Sequence, residues 1–147
     1  MENLEFYLRI AGAISGCQLV EQELKLYLSE ALDFVQKCVA GRIPFGMSGL
    51  DYKDASMERL IKIFSKLSNN QSLVDDLEIF KKERNFLSHR GIADCLDPDG
   101  EVDLLEASKF EARISAIQPE SQRLRAAINN EANKFRGHLW CNTILNE

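Results

Sequence analysis

The sequence predicts an all-α protein, an up-and-down antiparallel bundle of four to five helices in a single domain over residues 1–147. Three observations predict this fold. Apolar residues recur every three or four positions along most of the chain, no segment alternates convincingly with a period of two, and no internal repeat is present. Helices of this kind bury one face each against their neighbours in a bundle.

The first predicted helix runs from Leu4 to Cys38. Its apolar residues follow the three-to-four spacing of one buried helical face. They are Leu4, Tyr7, Leu8, Ala11, Ile14, Cys17, Leu24, Leu28, Ala31, Val35 and Cys38. Gly12 and Gly16 mark either a bend, which we favour, or a place where another helix packs closely.

A glycine-rich loop of about a dozen residues leads to the second and third helices. Asp54 is the predicted N-cap of the second helix. The apolar stripe of that helix is Met57, Leu60, Ile61, Phe64 and Leu67. The third helix is predicted from about Ser72 to Arg90, with Gly91 as its C-terminal stop. Its stripe is Leu73, Leu77, Phe80 and Leu87.

The last third of the chain predicts a turn and two more helices. The sequence Asp97-Pro98-Asp99-Gly100 is typical of a turn. Asp103 and Glu106 can form a capping box at the start of a fourth helix, and Pro119 restarts or kinks the chain into a fifth. The two stripes are Ala107, Phe110, Ile114 and Ile117, and then Leu124, Ile128, Ala132 and Phe135.

Composition indicates a soluble cytoplasmic protein. No apolar run approaches the roughly 18 residues of a membrane span, and the first residues do not resemble a signal peptide. The four cysteines, Cys17, Cys38, Cys95 and Cys141, are far apart, which favours reduced thiols and argues against a metal site. A net charge of −5 provides no global attraction to nucleic acid, so any contact with RNA must be local.

Arg84 is the anomaly of the third helix, because it lies in the middle of the apolar stripe. A guanidinium there needs an acidic partner, and Glu21 and Glu23 of the first helix are both usable. On a straight helix Arg84 and His89 are roughly 140° apart. Either the helix distorts near its end or two copies of the chain assemble the site.

A homodimer is expected from a second apolar patch on the third helix. Ile79 and Phe86 lie on the face away from the core stripe, close to His89. Such a patch suggests that this helix is covered on both sides, by its own bundle and by a second copy.

The segment Lys82-Glu83-Arg84-Asn85-Phe86-Leu87-Ser88-His89-Arg90 resembles the R-x(4-6)-H motif of the HEPN superfamily, in which a polar residue often follows the arginine. The resemblance extends loosely to the whole chain as a small helical bundle. It implies cofactor-independent and metal-independent RNA cleavage between two protomers. In this chain His89 would transfer protons and Arg84 would hold the scissile phosphate. Asn85 would orient His89 or a phosphate oxygen.

Three cations flank the motif and are the predicted RNA contacts. Lys81, Lys82 and Arg90 make this stretch basic within an acidic chain. The expected biological role is that of a growth-arresting toxin or an antiviral defence effector. An antitoxin or another regulatory protein would then be a second partner, beside RNA.

Two alternatives stay open. The first is a non-catalytic HEPN-like dimer that binds RNA or a protein partner. The second is calcium binding, because residues 95–106 match several ligand positions of an EF-hand loop. Cys95 stands at the first ligand position, where it is a poor ligand for a hard cation, and a turn followed by a capped helix explains the same residues.

Overall fold

Five α-helices make up most of residues 2–140, which are the residues that the computed structural model describes. They are α1 (Glu2–Val39), α2 (Met57–Leu67), α3 (Gln71–Phe86), α4 (Leu104–Ser115) and α5 (Ile117–Trp140). The predicted all-α bundle is confirmed, and over residues 2–140 the only β-type pairing is an isolated bridge between Leu96 and Val102. None of the described helices is long and apolar enough to cross a membrane.

The buried face of α1 differs from the predicted stripe in its first half. The core residues there are Phe6, Ile10, Ala13 and Cys17, followed by Val20, Leu24, Leu28 and Ala31. Five residues of the predicted stripe are exposed instead: Leu4, Tyr7, Leu8, Ala11 and Ile14. The first half of α1 is apolar on more than one side, so the spacing alone could not select the core face.

Close packing, the alternative reading of the two glycines in α1, is what the structure displays. A Cβ atom built on Gly12 would lie 2.7 Å from Oε1 of Gln118, and one on Gly16 would lie 2.6 Å from Oγ of Ser121. The helix α1 continues through both positions. The absence of two side chains therefore lets α5 approach the backbone of α1.

Contacts along the helices give their directions. Gly12, near the start of α1, lies beside Gln118, near the start of α5. Further along both helices, Glu30 pairs with Arg136, so α1 and α5 run in the same direction. Along α3 the contacts are Asn70 with Glu131, Asp76 with Arg123, Glu83 with Arg113 and Phe86 with Phe110. This order shows that α3 runs antiparallel to both α4 and α5.

The break between α4 and α5 is explained by Pro119. This residue has no amide hydrogen, and its ring would clash with the carbonyl of Ser115 four residues earlier. The helix α4 ends at Ser115, and α5 begins at Ile117. The predicted interruption is confirmed, just ahead of the proline itself.

The helix caps correct one prediction and confirm another. Ser56, and not Asp54, is the N-cap of α2, because its hydroxyl accepts a hydrogen bond from the amide of Arg59. Asp103 caps α4 as predicted, by accepting from the amides of Leu105 and Glu106. The second half of the predicted capping box is missing, since the amide of Asp103 donates to the carbonyl of Cys95 instead.

Candidate functional site

The C-terminal end of α3 is distorted. The α-helix ends at Phe86, and residues Leu87–Gly91 form a π-helical turn instead of continuing as α-helix to Arg90. The helical segment ends at Gly91, as predicted, although Gly91 does not have the positive φ of a helix-terminating glycine. A Cβ at Gly91 would lie 3.1 Å from the ring of Phe86, which indicates that the glycine makes room for this ring.

Phe86 is covered by its own chain. Its ring centre lies 5.3 Å from that of Phe110, and the guanidinium of Arg113 lies over it at 3.5 Å. Arg113 also donates to both carboxylate oxygens of Glu83, at 2.8 and 3.1 Å. The prediction of an exposed apolar patch is therefore wrong for Phe86. Of the two predicted residues, Ile79 is the exposed one, at 59%.

Arg84 lies at the rim of the core and pairs with α1. Its Nε is 3.5 Å from Oε1 of Glu21, so of the two predicted partners the structure selects Glu21 over Glu23. Its side chain remains 38% exposed, so the guanidinium is accessible from solvent. The Nη1 atom of Arg84 also donates to Oδ1 of Asn85 at 3.5 Å, at the limit of a hydrogen bond.

His89 is exposed and lies inside the π turn. A π turn contains about one residue more than an α-helical turn, so it rotates later side chains by up to roughly 100° relative to a regular helix. The 140° separation expected for a straight helix therefore does not apply to Arg84 and His89. Within residues 2–140, however, no hydrogen bond or ion pair joins these two side chains.

The three predicted RNA-binding cations differ in their surroundings. Lys81 forms an ion pair with Glu78 at 2.6 Å, and Arg90 lies 3.6 Å from Asp94. Lys82 is exposed and makes no ion pair with the described residues. The local positive field is therefore weaker than the sequence suggests, because two of the three charges have acidic partners.

The loop over residues 95–106 has the structure of a turn followed by a capped helix. The Asp97 carboxylate accepts hydrogen bonds from the amides of Asp99 and Glu101, and Gly100 has a φ of +83°. Cys95 is buried. The described residues contain no group of three or more His, Cys, Asp or Glu side chains placed to hold a metal ion. These contacts favour the structural reading of the loop over calcium binding.

Sequence reasoning missed the residues that hold the π turn in place. Glu83 and Arg113 are thirty positions apart, and no local pattern links them. Only the antiparallel packing of α3 against α4 brings the Arg113 guanidinium onto the ring of Phe86.

Comparisons with known proteins provide no relative from which a role for these residues could be inferred. No protein-family model, no curated protein and no solved structure matches the chain. The likeness to the HEPN superfamily therefore depends on the motif at Arg84 to His89 and on the helical fold.

Proposed function

We propose that the protein is a cytoplasmic, metal-independent endoribonuclease of the HEPN type, acting as a homodimer with Arg84 and His89 as its catalytic residues. One observation carries the proposal. The side chains of Arg84, Asn85 and His89 all reach solvent where α3 turns into a π helix. Single π turns of this kind are frequent at functional sites.

The chemistry requires only these side chains and the RNA. A neutral His89 takes the proton from a ribose 2′-hydroxyl, whose oxygen then attacks the adjacent phosphorus. The bond to the 5′-oxygen breaks, and that oxygen receives a proton from a protonated histidine. Arg84 stabilises the negative charge on the phosphate. The products are a 2′,3′-cyclic phosphate and a 5′-hydroxyl, without an oxidant or a second substrate.

Glu21 has a defined place in this scheme. Its carboxylate orients the guanidinium of Arg84 in the free protein, and a phosphate must compete with it. Both side chains are partly exposed, so the pair contributes only modestly, on the order of 1 kcal/mol or less. The phosphodiester of RNA, whose single negative charge is shared by two non-bridging oxygens, can therefore displace Glu21 or share Arg84 with it.

The test is cleavage of a labelled RNA in the presence of EDTA. Wild type should produce fragments with 2′,3′-cyclic phosphate ends, and a substrate with a single 2′-deoxynucleotide should resist at that position. Arg84→Ala and His89→Ala should each abolish cleavage. Ser88→Ala, an exposed neighbour in the same π turn, is the matched control and should cleave like wild type. Cleavage that survives in His89→Ala would refute the assignment.

A non-catalytic HEPN-like dimer that binds RNA or a protein is the second candidate. It is favoured by one observation, namely that His89 has no hydrogen-bonding partner to orient it among the described residues. RNA binding without cleavage by any variant would select this candidate. Growth arrest on expression, abolished by His89→Ala, would instead support a toxin or a defence effector that needs an antitoxin or another regulator.

A further inference from the structure

A straight apolar strip runs along the solvent side of α1. We call this set of exposed residues the α1 strip: Leu4, Leu8, Ala11, Ser15, Leu19, Gln22 and Leu26. Its four leucines are 63%, 63%, 43% and 47% exposed. Successive residues of the strip are four, three and four positions apart from Leu4 to Ser15, and the same intervals repeat from Ser15 to Leu26. Such an 11-residue repeat keeps nearly the same direction along an α-helix, so the strip stays on one side of α1.

The spacing of the α1 strip is symmetric about Ser15. If a second α1 lies antiparallel with a twofold axis at Ser15, then Leu4 faces Leu26, Leu8 faces Gln22, and Ala11 faces Leu19 of the second copy. A twofold interface requires such self-complementarity, in which each position meets its own counterpart. We infer that the α1 strip is the surface on which a second copy of this chain docks, antiparallel to the first.

The area of the α1 strip sets a condition on this dimer. From Leu4 to Leu26 the strip is about 33 Å long, and with a helix width of about 10–12 Å its footprint is roughly 350 Å² per copy. Both copies together would bury roughly 700 Å², whereas a stable interface needs about 1,000 Å² or more. The dimer must therefore cover a further surface next to the strip.

That surface is a groove at the Leu26 end of the strip, lined by α1 and by the short 3-10 turn Gly49–Tyr52. Leu50 projects from this turn and is 80% exposed. In the antiparallel arrangement the Leu4 end of the second copy, with its exposed Tyr7, meets this groove. A parallel dimer would instead place groove against groove, with Leu50 near Leu50 of the second copy. Cross-linking at position 26 distinguishes the two arrangements.

The same arrangement places both candidate sites on one side of the dimer. Glu21, the partner of Arg84, lies on the flank of α1 between the strip and the core face, six positions from Ser15. A twofold axis perpendicular to the helix pair keeps both copies of Glu21 on the same side, about 18 Å apart along the helices. One RNA strand could then contact both copies of Arg84, an extension that depends on the proposed ribonuclease function, although the interface itself does not.

Disulfide trapping tests the interface directly. In a Cys38→Ser, Cys141→Ser background, Ser15→Cys should form covalent dimers under mild oxidation at micromolar concentration. Ser65→Cys, at an exposed serine on α2, is the control and should form no covalent dimer. An equal mixture of Leu4→Cys and Leu26→Cys proteins should cross-link, whereas Leu26→Cys alone should not. Failure of Ser15→Cys to cross-link, or cross-linking of Leu26→Cys with itself, would overturn the antiparallel interface.

Sedimentation velocity gives the second test. Wild type should be dimeric at tens of micromolar, and Leu19→Glu should be monomeric, with the helical content of wild type and a thermal midpoint that no longer rises with protein concentration. Leu105→Glu, at a leucine of α4 that is 70% exposed, should remain dimeric. A monomeric wild type overturns the interface whatever its activity, whereas a dimer that cleaves no RNA overturns only the ribonuclease proposal. If monomeric Leu19→Glu cleaves RNA as well as wild type does, then cleavage does not require one RNA strand to contact both copies of Arg84.

Discussion

Glu131 should be among the most stabilising polar residues of the described chain. Its carboxylate on α5 is only 8% exposed, and it accepts hydrogen bonds from Nδ2 of Asn70 at 2.9 Å and Oγ of Ser68 at 3.1 Å. Asn70 in turn caps α3 through the amide of Leu73. Lys134 also pairs with Glu131 at 2.8 Å, but its side chain is 60% exposed. Glu131 thus joins α5 to the turn between α2 and α3.

The expected cost of Glu131→Ala follows from these contacts. A hydrogen bond to a charged group contributes about 1.5–3 kcal/mol, and the two partly buried donors, on Asn70 and Ser68, would lose their acceptor. The exposed Lys134 adds little, because solvent screens it. We expect a loss of about 3 kcal/mol in the free energy of unfolding. For a chain of this size, that lowers the thermal midpoint by roughly 6–12 °C.

The pH dependence provides an independent check. Burial raises the pKa of Glu131, but the hydrogen bonds from Lys134, Asn70 and Ser68 outweigh it and hold the pKa below its usual value of 4.5. A carboxyl whose pKa is lower in the folded state stabilises the fold at neutral pH, and this contribution disappears as the pH falls through the folded-state pKa. The stability difference between wild type and Glu131→Gln should therefore be constant near neutrality and shrink below about pH 4.5.

Urea unfolding at several pH values would measure these differences. Glu120→Ala is the matched control, because Glu120 lies on the same helix and forms only an exposed ion pair with Arg123. It should cost less than about 1 kcal/mol. If Glu131→Ala costs no more than this control, or if its cost does not depend on pH, then the assignment of its stabilising role is wrong.

Three further outcomes follow from the packing. Gly16→Ala should lower the free energy of unfolding by about 1–3 kcal/mol in urea titrations, because the new methyl group would contact α5. Gly12→Ala should stay within about 1 kcal/mol of wild type, because the flexible end of Gln118 can move aside. Burial raises the pKa of the Cys17 thiol to about 11, so native protein at pH 8 should resist iodoacetamide at Cys17 by mass spectrometry, and rapid alkylation would contradict this. Arg113→Met should cost about 1 kcal/mol through the lost contact with Phe86 and should accelerate hydrogen exchange in residues 87–91, while unchanged exchange there would argue against its bracing role.

The sequence by itself predicted the five helices and most of their approximate bounds. The apolar spacing, the turn at Asp97 to Gly100 and the restart at Pro119 depend on interactions within a few residues, which sequence patterns report directly. The anomaly of Arg84 was also visible, because one charged residue within an apolar stripe requires a partner. The same local logic identified Glu21 as one of two candidate partners, without choosing between them.

Only the tertiary structure decided which faces are covered. The first half of α1 is apolar on two sides, so the choice of Phe6 and Ile10 for the core and Leu4 and Leu8 for solvent depends on where α4 and α5 pack. Likewise, the position of Phe86 on α3 predicted an exposed side chain, but Phe110 and Arg113 of α4 cover its ring. These outcomes depend on contacts between residues distant in sequence, and such contacts leave no local pattern. The π turn that carries His89 lies beside such a contact, because the ring of Phe86 packs between Gly91 and residues of α4.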